Sequence, residues 1–438
     1  MKNWKLIIAI LIATGCLGVT CSKNSDGTVG PPPAGKDTLL ENTAHLDHLY
    51  TPFLLGGADA AGLYIYSEAP DYHLVADSDE GFTCVDDVSR AIIFYVRSPR
   101  FASDTSFQNK TYKLIEFMLQ MQSSNGYFYN FLFPNLQINR FGATSRNTAQ
   151  WWSWRALHAI SESMSVINNK NSALASRMKT ARTNLIDRIK TDLVSIEKTT
   201  KQVSGLTVPE WLPAGSGTDQ AAILILGLIP YCKENNDVEI EDFMRKLADG
   251  LILMQQGDST HFPYGMILSW ENTWHAYAAD QSIALLEAGK FFNENAYISA
   301  ALSETKHFFS WLLQNGQESS IVIDSTANGI QMTSHLKYEQ IAYGVRPMIS
   351  AAAEAFNQTK DAKYAEIAGH FAAWFFGAND ASARMYDTAT GRCYDGINGP
   401  GAVNKNSGAE STIEALLAMQ IIDKIPEVKA AMKKYASP

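Results

Sequence analysis

From Leu39 onward the apolar positions recur with the three-to-four-residue spacing of helices, separated by loops rich in Gly, Pro, Asn and Tyr. Sustained alternation of the strand kind is scarce. A unit repeats at intervals of roughly 55–70 residues: a polar cluster opens an apolar helix of small residues, a loop follows, and a more amphipathic helix completes the pair. The openers are Asp86-Asp87-Val88-Ser89-Arg90, Arg146-Asn147-Thr148-Ala149-Gln150, Gly217-Thr218-Asp219-Gln220, Trp274-His275-Ala276-Tyr277, Tyr338-Glu339-Gln340 and Ser407-Gly408-Ala409-Glu410-Ser411-Thr412. The helices that follow, such as 221–229, 278–288 and 413–422, are apolar on almost every face, as a helix surrounded by others must be. The intervening ones, 112–122, 174–196, 240–256, 296–314 and 362–376, mix apolar and charged positions and belong to an outer layer. The pattern predicts an all-α (α/α)6 toroid of six helical hairpins, with parallel inner helices whose N-termini share one face.

Composition agrees with one large body. The chain of 438 residues is 46% hydrophobic and 18% charged, the balance of a protein with a sizeable core. Its 45 acidic and 36 basic residues leave a charge of −9, which repels nucleic acid and anionic membrane surfaces. The 9 Trp residues suit stacking on the apolar faces of sugars. Lys2 and Lys5, an apolar run too short to span a bilayer, and Ala13-Thr14-Gly15 read as a signal peptide within residues 1–21. Cys16 and Cys21 each resemble the attachment cysteine of a bacterial lipoprotein. Residues 22–37, with Pro31-Pro32-Pro33, have tether composition, and 38–438 form the toroid. The expectation is an exported monomer held at a bacterial membrane by a lipid anchor alone. Cys84, Cys232 and Cys393 lack zinc-ligand spacing, and no HExxH, EF-hand, phosphate-loop or GxSxG pattern occurs, so neither metal nor cofactor is expected.

Cys84-Val85-Asp86-Asp87-Val88-Ser89-Arg90-Ala91, together with Asp395-Gly396 and Asn404-Lys405-Asn406-Ser407-Gly408-Ala409-Glu410-Ser411-Thr412, resembles paired signatures of the six-hairpin glycosidase superfamily. The resemblance implies carbohydrate chemistry on an (α/α)6 toroid, a group that spans hydrolases, lyases and sugar epimerases. Asn147 stands where unsaturated-uronide hydrolases of this fold are expected to carry a carboxylate, which argues against that subclass.

Ring closure should bring the first and sixth openers together, placing Asp86 and Asp87 beside Glu410 and making Cys84 and Cys393 a candidate disulfide. Glycoside hydrolysis needs two carboxyl groups, one holding a proton and one ionised. The catalytic candidates are Asp87, Glu210, Glu271, Glu339 and Glu410. Adjacent Asp86 and Asp87 point about 100° apart on a helix, so Asp86 is read as an N-cap or sugar ligand and Arg90 as an ion-pair partner. Glu210 lies beside Trp211 between two prolines, where an indole would raise its pKa. Asp219 sits in a first helical turn, where the dipole favours negative charge. Trp270, Glu271, Trp274 and His275 crowd the fourth opener; His335, Tyr338 and Glu339 lie at the fifth. Arg346, inside an apolar helix, requires Glu339 or an acidic ligand. Trp151, Trp152 and Trp154 cannot all point one way, and Trp152 is taken as a stacking residue. Arg146, Asn147 and Asp395 complete the sugar-binding candidates. The reading is a glycoside hydrolase acting on a glycan, more in keeping with inversion than retention. The alternatives are a lyase or epimerase on an acidic sugar, using His275, His335, Tyr338 and Arg346, and a non-catalytic glycan-binding lipoprotein.

Overall fold

The computed structural model describes residues 39–436, so the expected leader, Cys16, Cys21 and the 22–37 tether lie outside the described residues. After a short helix α1 (Ala44–Leu49), the chain forms α2 (Val85–Arg97), α3 (Thr105–Gln120), α4 (Trp151–Asn168), α5 (Ser172–Ile189), α6 (Thr218–Glu234) and α7 (Val238–Leu253). It continues through α8 (Gln281–Phe292), α9 (Asn295–Ser303), α10 (Phe309–Asn315), α11 (Ala342–Thr359), α12 (Ala362–Ala372), α13 (Ala409–Lys424) and α14 (Pro426–Tyr435). Helix α2 packs on α4, α4 on α6, α6 on α8, α8 on α11, α11 on α13, and α13 back on α2. That cycle is a closed ring of six parallel helices. Helices α3, α5, α7, α9, α12 and α14 each pack outside the inner helix that precedes them, which gives the (α/α)6 toroid.

The burial pattern explains the two layers. In α6 every residue from Thr218 to Ile225 is buried, whereas α5 buries Leu174, Met178, Ala181, Leu185 and Ile189 at helical spacing and leaves its charged face in water. The core is continuous and holds Trp154, Trp274 and Trp374 among its largest enclosed side chains. Among the described residues, no helix is long and apolar enough to cross a membrane.

Three boundaries differ from expectation. Helix α4 starts at Trp151, leaving Asn147 in the preceding loop. Trp274 and His275 lie on a strand, Thr273–His275, paired with Ser320–Thr326, which itself pairs with Gly329–Leu336. The fourth inner helix therefore begins at Gln281, because a β-branched and aromatic stretch found cross-strand partners first. Asp86 is not the N-cap of α2: Cys84 is, its Sγ accepting the Asp87 N–H at 3.4 Å.

The last hairpin depends on close approach. A Cβ on Gly369 in α12 would lie 2.6 Å from the Met432 nitrogen in α14. Gly369→Ala should lower stability by roughly 1–2 kcal/mol, overpacking outweighing the gain in helix propensity. An unchanged urea midpoint would show that these helices are not in such contact.

Candidate functional site

The N-termini of the inner helices line one face of the ring, and the two openers that ring closure joins supply its charged floor. Asp86 and Asp87 occupy the first turn of α2, where the helix dipole favours carboxylates. One turn later Arg90, only 2% exposed, donates from Nη2 to Asp86 Oδ2 (2.9 Å), Asp87 Oδ1 (2.5 Å) and Glu410 Oε2 (3.1 Å), and from Nη1 to Glu414 Oε1 (3.0 Å). Arg346 holds Glu414 at 2.5 Å and Asp280 at 2.7 Å. Arg155 lies 3.6 Å from Asp86 and 3.8 Å from Asp280, and donates to the Tyr343 hydroxyl. The Arg90 guanidinium also sits 4.6 Å from the centre of the Tyr343 ring.

Three guanidiniums thus face five carboxyl groups in a largely dry setting, an excess of two negative charges that protons can neutralise. The pKa shifts follow that count. Burial, with Asp86 adding repulsion, raises Asp87 to about 6 despite Arg90. Burial and the carboxylates of Asp87, Glu414 and Asp86 raise Glu410 to about 7 despite the same arginine. Burial acts on Glu414 and Asp280 as well, but Arg346 with Arg90 or Arg155 outweighs it and holds both low. Asp87 is closed off at 4% exposure. Glu410 is ringed by protein, yet 43% of its side chain opens to the funnel, so water there tempers the size of its shift without reversing it. Glu410 is the proton holder within reach of a ligand. Oxygens of Asp86, Asp87 and Glu410 lie within 4.8 Å of one another, close enough to ligate a cation. Arg90 Nη2, in contact with all three, already supplies the positive charge at that point.

Across the ring, Asp219 is the second residue of α6 as Glu410 is of α13. Its Oδ2 lies 3.0 Å from His275 Nε2, and its Oδ1 accepts the Gln220 N–H at 2.6 Å. Gly217 keeps this turn tight, since a Cβ there would meet the Pro213 carbonyl at 2.6 Å. His275 Nδ1 is 2.9 Å from the Tyr277 carbonyl, an acceptor only, so Nδ1 donates and the imidazole is held between two acceptors. The Tyr277 ring stacks on His275 at 3.7 Å and lies 6.3 Å from both Trp151 and Tyr343. These rings form an aromatic wall between the two carboxyl sites, with Tyr277 itself 40% exposed.

Of the sequence candidates, Asp86, Asp87 and Glu410 come together, with His275 on the same face. The others have the following surroundings. Glu210 is exposed, and Trp211 turns inward to donate to the Lys246 carbonyl. Glu271 pairs with Lys201 at 2.6 Å, and Glu339 is exposed. Trp274 packs edge-on against Phe308 and Trp152 donates to the Phe128 carbonyl, so both are core residues. Trp270 remains 42% exposed, with its indole N–H 3.3 Å from the Ala214 carbonyl. Arg146 is exposed and holds the Phe141 carbonyl, while Asn147 bonds Ser123. His335 is paired with Glu318 on the exposed hairpin, next to half-buried Tyr338. Asp395 accepts from the Gly408 N–H and the Ser411 hydroxyl, which makes it the brace for the start of α13. Arg346 meets Asp280 and Glu414 rather than Glu339. Cys84 and Cys393 are free buried thiols: one caps α2, the other donates to the Tyr394 carbonyl.

Trp151, Arg155, Tyr277, Asp280, Tyr343 and Glu414 were not anticipated. For Arg155 and Glu414 the signal was present: each is a charge inside an otherwise apolar inner helix and requires a partner there.

Neither a protein-family model nor a curated protein matches the chain in sequence. Solved structures do match its fold. A cellobiose 2-epimerase from Bacillus thermoamylovorans aligns with TM-score 0.55 at 10% identity, covering 83% of this chain and 92% of its own. A sugar epimerase from a ruminal bacterium aligns with TM-score 0.56 at 9% identity over the same shares, 83% and 92%. A GH127 β-arabinofuranosidase aligns with TM-score 0.47 at 12% identity over 77% of this chain and 51% of its own, so the chain spans about half the length of that protein. The chain shares the (α/α)6 toroid fold of these two epimerases.

Proposed function

We propose that the protein hydrolyses a glycosidic bond in a neutral glycan, with Glu410 as the proton donor. The observation that carries this reading is the carboxyl of Glu410, held protonated near neutrality and half open beneath an aromatic wall. Glu410 gives its proton to the leaving oxygen as the C1–O bond breaks. A water adds to C1, and Asp219, braced by His275, takes the proton that water releases. Asp86 does not suit the second role. It hangs beside Glu410 on one guanidinium nitrogen, on the same side of any bond placed between the walls. Helices α6 and α13 start from opposite walls of the ring, which favours the wider separation of inversion, roughly 6.5–9.5 Å. The floor arginines are committed to carboxylates, so an acidic sugar finds no spare cation; this supports a neutral substrate.

The test is incubation with a broad oligosaccharide and polysaccharide panel, following products and the anomer first formed by NMR. Release of reducing sugar with inversion is the expected result. Retention would overturn the role of Asp219 as the base that activates water. An isomerised sugar without bond cleavage would replace hydrolysis with proton transfer at carbon, and no change in any glycan would leave a binding protein.

A further inference from the structure

On the face opposite the funnel, the C-terminal halves of all six inner helices surround a second cavity of about 800 Å³, within the range of small-molecule sites. Arg90, Arg155, Asp280 and Arg346 form the partition between the two: they line this cavity and also hold the carboxyl groups of the funnel floor. We propose that this cavity is a second binding site, for a small neutral saccharide or polyol entering from the far face. The proposal does not rest on the hydrolase reading.

The chemistry of the lining selects the ligand. Its charges neutralise one another: Arg97 donates to Glu162 through Nε and, at 2.8 Å, through Nη2, while His158 Nε2 lies 3.0 Å from the same carboxylate. Arg346 and Arg155 are held by Asp280. A cationic ligand would meet these arginines, and an anionic one would meet Glu162, Glu287 and Glu354, so neither sign of charge is favoured. What remains unmet is hydrogen bonding of both kinds: in the lining, the buried Nε donors of Arg90 and Arg155 have no hydrogen-bond partner among the described residues, and neither do two acceptors. The His158 side chain is 9% exposed, and its Nδ1 has no partner among the described residues. Because Nε2 faces a carboxylate it carries the proton, and burial, with Arg97 and Arg155 near, keeps the ring neutral, so Nδ1 presents a lone pair. Gln420 gives both of its amide bonds from Nε2, to Glu41 and to the Phe94 carbonyl, so its buried, unpartnered Oε1 is likewise an acceptor. Unpartnered donors and acceptors together call for a ligand group that both gives and takes hydrogen bonds, as hydroxyl groups do. Between them Ile93, Leu226, Ile283 and Leu417 offer apolar surface for the C–H face of a sugar ring.

The experiment is calorimetric titration of the full chain with glucose, lactose and inositol, alongside glycine betaine and inorganic phosphate as charged arms. Binding of one of the neutral probes is expected, weakened at least tenfold in Gln420→Leu and abolished in the cavity-filling variant Ile283→Trp. In Tyr277→Ala, a funnel residue outside this lining, affinity should stay within twofold. Should Ile283→Trp fail to fold, the 15N signal of His158 Nδ1 provides the second readout, moving on saturation as the lone pair accepts a hydrogen bond. No binding by any neutral probe, preference for betaine or phosphate, or loss of binding in Tyr277→Ala with Gln420→Leu unaffected would each overturn the proposal.

Discussion

Arg90→Met is expected to cost roughly 3–5 kcal/mol of stability at pH 8, the range for removing one partner from a buried ionic group. Asp86, Asp87, Glu410 and Glu414 would then face one another with only Arg155 and Arg346 nearby. Folded-state pKa values that are already raised, about 6 for Asp87 and about 7 for Glu410, would rise further. A carboxyl whose folded pKa exceeds its unfolded one binds more protons in the native state, so its penalty is absent below the unfolded value, grows between the two and levels off above the folded one; raising the folded value further carries that growth to higher pH than in the wild type. The deficit of Arg90→Met should therefore be small near pH 5 and largest above pH 7. Arg90→Lys keeps the charge but loses the planar fork that reaches several oxygens at once, and should fall between. Thermal unfolding from pH 5 to pH 8 tests this. A deficit independent of pH would mean that Arg90 acts by packing and not through the carboxylates.

Ring closure was legible because it depends on repetition. The six apolar helices announce themselves by lacking a polar face, and a ring requires its first and last members to meet. Hence the meeting of Asp86-Asp87 with Glu410 followed from topology, although 320 positions separate Arg90 from Glu410. The side chains that face the axis were less legible, since opener boundaries decide them. Taking Trp274 as the opener of a helix over 278–288 placed that indole at the funnel; the strand pairing and the helix start at Gln281 leave Trp274 in the core and bring Tyr277 to the wall. The three tryptophans of α4 show the same limit. Trp152 and Trp154 are enclosed, and Trp151, one position earlier, stands beside Tyr277. Glu210 misled for another reason. A carboxylate next to an indole in sequence is desolvated only if both side chains turn the same way, and here Trp211 turns in while Glu210 turns out. The opposing wall, where Asp219 meets His275, depends on a strand pairing that places His275 above the start of α6. No local pattern encodes that contact.

Glu410→Gln separates catalysis from stability, because the feature that would make Glu410 an acid also makes it a burden on the fold. The amide keeps the shape of the side chain but holds no transferable proton, so turnover of a glycan with a poor leaving group should fall by roughly 10²–10⁴-fold. An aryl glycoside whose leaving group needs no proton should retain most of its rate. That contrast isolates proton donation from binding. Stability should move the opposite way. In the native state Glu410 titrates at about 7, whereas an unfolded glutamate titrates near roughly 4.3. The wild type therefore loses stability relative to the variant as pH rises between those values, and the difference levels off above the folded pKa. Arg90 keeps three carboxylate partners in the variant, so no charge is stranded by the change. The midpoint of thermal unfolding should be equal for the two proteins near pH 4 and higher for Glu410→Gln at pH 8. A variant that is less stable at pH 8 would show that Glu410 is held there as a counter-ion for Arg90, and equal loss of rate on both kinds of glycoside would remove it from proton transfer.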